Sequence, residues 1–147
     1  MRLSLIWITL AIAACGPARA PSAADPTKEP WYAKAVQELA AIDRDAETAY
    51  QNGEPDQAAA LIEKGEPIEK KIVSVAQPTL AAAEAASDLD DLYGRMLLAN
   101  RHYGWARLEF QKNLARWKHW PQQTEESQRR YRQAASEIEE CDRRMEQ

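Results

Sequence analysis

Residues 88–120 read DLDDLYGRMLLANRHYGWARLEFQKNLARWKHW. This stretch holds three of the five tryptophans, both histidines and the single phenylalanine. Apolar residues recur in it at seven-residue intervals, as they do along the seam of a helix that packs against other helices. No proline interrupts the stretch. We therefore predict one overlong helix from about residue 79 to 119.

Two heptad series define this seam. The first consists of Ala82, Leu89, Met96, Tyr103, Phe110 and Trp117, and the second of Ala85, Leu92, Ala99, Ala106, Asn113 and Trp120. Between residues 89 and 99 the apolar side chains cover most of the helix circumference, which is typical of a helix packed on several sides. We predict that this helix lies at the centre and that the other helices surround it.

The rest of the chain predicts three shorter helices and no strand. The first runs from about Pro30 to Gln51, where apolar residues repeat at spacings of three and four. The second runs from 55 to about 75 and is either broken near Gly65-Glu66-Pro67 or continuous and kinked there. The last begins near Thr124, a favourable N-cap. The predicted fold class is all-α, an antiparallel four-helix bundle formed by residues 31–147.

The N-terminus has the composition of an export signal over residues 1–14. Its apolar run is too short to span a bilayer, which takes about 20 residues. The run ends at Ile12-Ala13-Ala14-Cys15, which resembles the lipobox of bacterial lipoproteins. The resemblance implies cleavage before Cys15 and acylation of that cysteine. Because glycine rather than aspartate follows Cys15, the resemblance favours the outer membrane, facing the periplasm, if the host has two membranes.

Two other interpretations of the N-terminus remain open. Cleavage after Ala18-Arg19-Ala20 would release a soluble protein, and Cys15 could be a chance cysteine in the apolar run. Residues 16–30 carry four prolines and no large apolar residue, so we predict that residues 15–30 form a flexible tether.

Cys141 is the second cysteine of the chain. If Cys15 carries lipid, Cys141 has no partner for an intrachain disulfide. It lies on an apolar helical stripe, which predicts a small buried core residue. An intermolecular disulfide and a reactive thiol are the alternatives.

The charges of the chain are unevenly distributed, although the formal net charge is only −4, which argues against a general nucleic-acid binder. The segment from Asp25 to Asp91 contains 15 acidic and 6 basic residues, whereas the segment from Arg95 to Arg132 contains 9 basic and 3 acidic residues. Either the two segments form ion pairs within the fold, or the basic segment binds a partner.

The sequence contains no pattern that predicts catalysis, a metal or another cofactor. His102 and His119 are 17 residues apart on the predicted helix, about 25 Å along its axis, so they cannot share a metal. Zinc, haem and di-iron patterns are missing. Acidic pairs such as Asp88 and Asp91 are more simply solvated helix-end charges. We expect a protein that is not an enzyme.

A candidate binding face lies in the same stretch. Glycine inside a helix costs about 1 kcal/mol relative to alanine, so Gly94 and Gly104 indicate either a closely packed neighbouring helix or a groove for a ligand. Cations alternate with aromatic residues nearby, which suits anionic or protein partners. The candidate residues are Gly94, Arg101, His102, Gly104, Trp105 and Arg107.

We therefore predict a non-catalytic, lipid-anchored protein of the cell envelope that binds a partner protein or an anionic envelope component. The alternative is a helical bundle that binds a small molecule or lipid in a pocket near Gly104 and Trp105.

Acylation of Cys15 is tested by metabolic labelling with palmitate. We expect the wild-type chain to incorporate label and the Cys15→Ala variant to lose it, because the thiol is the attachment point. Equal labelling of both chains would exclude the lipid anchor.

Overall fold

The computed structural model describes residues 24–147, in which every secondary-structure element is a helix and no strand occurs. A short 3-10 turn at Pro26–Lys28 precedes five helices: α1 (Pro30–Gln51), α2 (Pro55–Val73), α3 (Leu80–Ala99), α4 (Tyr103–Lys118) and α5 (Glu125–Met145). The predicted signal peptide and Cys15 lie outside the described residues. The last residues of the predicted tether form the 3-10 turn, where the Asp25 carboxylate accepts a hydrogen bond from the Thr27 N–H at 3.0 Å.

The overlong third helix predicted from about residue 79 to 119 is wrong. The chain reverses at residues 100–102, so the predicted helix is divided into α3 and α4. Residues 24–147 accordingly form five α-helices rather than the four predicted. The all-helical class is confirmed, and the number and lengths of the helices are corrected.

The reversal is a Schellman motif at the end of α3. The Arg101 N–H donates to the Leu98 carbonyl at 3.1 Å, and the His102 N–H donates to the Leu97 carbonyl at 2.9 Å. Arg101 has a φ of 64°, the left-handed conformation that glycine usually supplies at this position. The turn contains neither glycine nor proline, the residues that usually mark the end of a helix. The apolar pattern also continues through the turn, so the sequence contains no signal of the reversal.

After the reversal, α4 folds back along α3. The Phe110 ring lies against Gly94, where an added Cβ would be only 2.5 Å from Phe110 Cε1. Towards the other end of the hairpin, the Asn113 amide donates to the Ser87 carbonyl, and the Trp117 indole N–H donates to Ser87 Oγ, both at 2.9 Å. The two halves of the predicted seam therefore pack against each other.

The central position predicted for the third helix applies to α3, which is buried on most of its circumference. On one side, Leu89 and Leu92 join a core formed with α1 and α2. On the other side, Ala106, Phe110 and Cys141 form a second core between α4 and α5. Cys141 is fully buried, as the sequence predicted.

Helix α2 is continuous through Pro67, so of the two alternatives for Gly65-Glu66-Pro67 the break does not occur. Pro67 is exposed, and the backbone group that it leaves without a partner can be hydrated. Gly65 is buried, and a Cβ there would lie 3.0 Å from Leu89 Cδ2. This glycine allows α2 to approach α3 closely.

Successive helices run in opposite directions, which gives the molecule two distinct ends. At the first, the Tyr32 hydroxyl donates to the Ile72 carbonyl at 3.2 Å and accepts from the Thr79 N–H at 3.1 Å. These bonds join the start of α1, the end of α2 and the start of α3. We call this end the tether end, because the chain enters here from the predicted tether. We call the opposite end, which contains the reversal at 100–102, the far end.

Replacement of Gly94 by alanine tests the α3–α4 packing. We expect Gly94→Ala to lower the free energy of unfolding by about 1–3 kcal/mol, because the new methyl group overlaps the Phe110 ring. Urea denaturation followed by circular dichroism measures the change.

The matched control is Gly104→Ala. A Cβ at Gly104 meets nothing within 4 Å, so we expect no loss or a gain of about 0.5–1 kcal/mol. Equal effects of the two substitutions would contradict the packing described.

Candidate functional site

Four of the six predicted face residues lie together where α4 begins. Arg101 and His102 are exposed within the reversal, and Gly104 is exposed in the first turn of α4. Trp105 follows with 67% of its surface accessible, the most exposed of the large apolar residues from 24 to 147. Nothing packs against Gly104, so a closely packed neighbouring helix does not account for this glycine.

The other two predicted residues are used within the fold. Gly94 is buried under Phe110, which corresponds to the close helix approach rather than to a ligand groove. Arg107 Nε donates to Asp142 Oδ1 at 2.7 Å and links α4 to α5.

Leu108 extends the exposed face and was not predicted. It is 48% exposed and lies three residues after Trp105, hence on the same side of α4. That spacing is visible in the sequence, but the heptad pattern directed attention to the buried side. We define the corner surface as Arg101, His102, Trp105 and Leu108. It combines two exposed apolar side chains with two that can carry positive charge.

A shallow cavity of about 470 Å³ lies near the reversal and is lined in part by Arg95, Arg101, Tyr103 and Arg144. Neither Gly104 nor Trp105 lines it or any of the four other cavities described at residues 24–147. The indole of Trp105 therefore projects from the surface and does not form the wall of a pocket.

Much of the basic segment pairs with the acidic first half of the chain. Arg95 Nη2 lies 2.5 Å from Glu47 Oε2 and joins α3 to α1. Arg116 and Arg130 contact the acidic part of α3, at Asp90 Oδ2 (2.9 Å) and Asp88 Oδ1 (2.5 Å) respectively. Of the two explanations for the uneven charge, ion pairing within the fold accounts for these arginines.

Asp90 is the centre of the most buried ion pairs. Only 3% of its surface is exposed, and its two carboxylate oxygens accept from Lys112 Nζ at 3.2 Å and from Arg116 Nη2. Arg116 also reaches Glu69 on α2 at 3.2 Å, so the cluster joins three helices. Burial, together with the nearby Asp90 charge, raises the pKa of Glu69 to about 7. Removal of one partner from a buried pair of this kind leaves an uncompensated charge and is strongly destabilising.

A second group of carboxylates lies between α1, α3 and α5. Burial, and to a smaller extent the charge of Asp91, raises the pKa of Glu137 to about 8. Glu137 Oε2 has no hydrogen-bond partner among residues 24–147. Burial, followed by the charge of Asp88, raises the pKa of Asp43 to about 7. Folding therefore shifts the protonation equilibrium of both carboxyl groups towards the neutral form.

The two histidines occupy opposite ends of α4, His102 as the N-cap and His119 as the C-cap. Within residues 24–147, no three His, Cys, Asp or Glu side chains are arranged to hold a metal ion. Across the same residues, no helix has both the length and the hydrophobicity needed to cross a membrane.

Comparison with known proteins gives no relative. The chain matches no family model, no curated protein and no solved structure. Any functional assignment therefore depends on the residues themselves.

The raised pKa values predict how stability depends on pH. A carboxyl group whose pKa is raised by folding stabilises the protein below its unfolded pKa, about 4, and this contribution is lost as pH rises through the folded pKa. For Asp43, Glu69 and Glu137, this contribution to the free energy of unfolding is lost by about pH 7–8. We expect urea denaturation to show lower stability at pH 8.5 than at pH 5.

Glu137→Gln isolates one of these groups. We expect this variant to exceed the wild type by about 1–2 kcal/mol at pH 8.5 and to match it at pH 5, because glutamine resembles the protonated acid. Glu139→Gln, on the exposed side of α5, is the control and should change neither value. An identical pH dependence in the wild type and Glu137→Gln would contradict the assignment.

Proposed function

We propose that the chain is an exported, lipid-anchored protein of the cell envelope that has no catalytic activity of its own and binds a partner protein through the corner surface. The proposed anchor is Cys15, and the outer membrane, facing the periplasm, is the favoured location if the host has two membranes. The anchor proposal rests on the lipobox resemblance at Ile12-Ala13-Ala14-Cys15.

The exposure of Trp105 is the observation that carries the binding proposal. A tryptophan that is 67% accessible, with Leu108 at 48% beside it on the same helix face, leaves apolar area in water. Tryptophan and arginine are enriched among the residues that contribute most to protein interfaces. Arg101 and His102 have no ion pair among residues 24–147, so their polar groups are available at the rim.

The buried charges support a structural rather than a catalytic role for the polar interior. Asp90 on α3 pairs with Lys112 and Arg116 on α4, and Lys112 also pairs with Glu109 within α4. Breaking such a buried pair leaves an uncompensated charge and is strongly destabilising, which is consistent with a structural role for these groups.

The position of the corner surface also suits a protein partner. It lies at the far end, whereas the chain enters at the tether end. A molecule attached through Cys15 would thus present this surface away from its own attachment point. The alternative, a small-molecule or lipid pocket near Gly104 and Trp105, has less support, because neither residue lines a described cavity.

Site-specific photocrosslinking in intact membranes tests the proposal. We expect a photoreactive amino acid at position 105 to form a crosslinked protein adduct, and the Leu108→Ser substitution in the same chain to reduce it. Truncation of an energetically important residue at the centre of an interface weakens binding by about 1 kcal/mol or more.

The matched control places the photoreactive group at Tyr131, a partly exposed aromatic residue on α5 outside the corner surface. The same adduct from positions 105 and 131, or none from position 105, would contradict the proposal. Trp105→Ala should lower stability little, since that side chain is largely solvated, and circular dichroism checks that Leu108→Ser, whose side chain is about half exposed, still folds.

A further inference from the structure

The tether end has a surface of a different kind from the corner surface. Leu80, the first residue of α3, is 42% exposed, and Trp120 and Pro121 follow the end of α4. The Trp120 ring is tilted against buried Trp117, with centroids 5.8 Å apart, and remains half-buried. Apolar and aromatic groups are thus held at this end by the links between helices rather than within the core.

A cavity of about 740 Å³ opens at this end, between the α2–α3 link and the α4–α5 link. Val73, Ala83 and Trp120 supply part of its apolar lining, and Arg116 and His119 supply hydrogen-bond donors. Its volume lies within the range of small-molecule sites, about 300–1,000 Å³.

Lysines and tryptophans occur together at the tether end. Lys71 Nζ lies 4.4 Å from the centroid of the Trp31 ring, and Lys28 and Lys118 are exposed. Tryptophan and lysine, with an apolar body and a polar tip, are the side chains that suit the boundary between lipid and water.

The chain length between the anchor and the fold brings this end close to the membrane. Cys15 precedes Ala24, the first described residue, by nine positions. Nine residues span at most about 32 Å when fully extended. Ala24 and Asp25 line a second cavity with Val75 and Gln77 of the α2–α3 link, so the chain enters beside the exposed apolar groups.

We propose that the tether end is a membrane-contacting surface that rests on the phospholipid headgroups of the bilayer, with Leu80 and Trp120 in the interface and the cavity open towards it. This inference depends on the proposed acylation of Cys15. It assigns the two ends different partners: lipid at the tether end and protein at the far end.

Lipid-dependent quenching tests the orientation. The acylated full chain is reconstituted into protein-free vesicles of phosphatidylcholine and phosphatidylglycerol that contain a headgroup nitroxide lipid. An environment-sensitive thiol dye is attached at Leu80→Cys, or at Met145→Cys as the matched control, since Met145 is 49% exposed at the end of α5. Burial raises the pKa of the Cys141 thiol and so limits its labelling.

We expect loss of dye fluorescence at position 80 and none at position 145. Lys118→Cys is a second tether-end label in case Leu80→Cys disturbs the fold, and circular dichroism checks each variant. Equal quenching at both ends, or none at either, in vesicle-bound protein would overturn the inference and leave the lipid anchor standing. If the protein does not float with the vesicles, the anchor itself fails, and the inference fails with it.

Discussion

The packing of the Phe110 ring against Gly94 is the contact on which the rest of the structure depends. Only a residue without a side chain leaves room for this ring, and the contact brings α4 back along α3. The Ser87 hydrogen bonds from Asn113 and Trp117 then fix the register of the two helices. With α4 in this position, α3 is covered on both sides, and the α1–α2 and α4–α5 pairs have a common centre.

The sequence predicted burial well and topology less well. Heptad spacing identified Leu89, Phe110 and Trp117 as core residues, and the N-cap preference of Thr124 identified the start of the last helix. The reversal could not be predicted, because it uses Arg101 at a position where glycine is the usual signal. A seven-residue pattern indicates which residues are buried. It does not indicate whether the chain continues as one helix or reverses and packs against itself.

The set of residues in the candidate site also changed because the reversal was not predicted. Once α4 begins at Tyr103, Gly104 is a first-turn residue rather than an interior one, and it needs no groove to explain it. Gly94 and Arg107 contribute to packing between helices. The charge asymmetry of the sequence largely becomes ion pairing across helices, centred on Asp90. The reversal also carries the exposed Trp105 to the far end, opposite the chain's entry, which is the physical basis for assigning lipid and protein to different ends.

A distance measurement between spin labels at Ala81 and Lys118, both exposed, tests the α3–α4 reversal directly. The hairpin places both positions at the tether end on adjacent helices, so pulsed electron paramagnetic resonance should give a distance within about 20 Å. A continuous helix would separate the 37 residues by about 56 Å. A long distance would contradict the hairpin, the central position of α3 and the separation of the two ends.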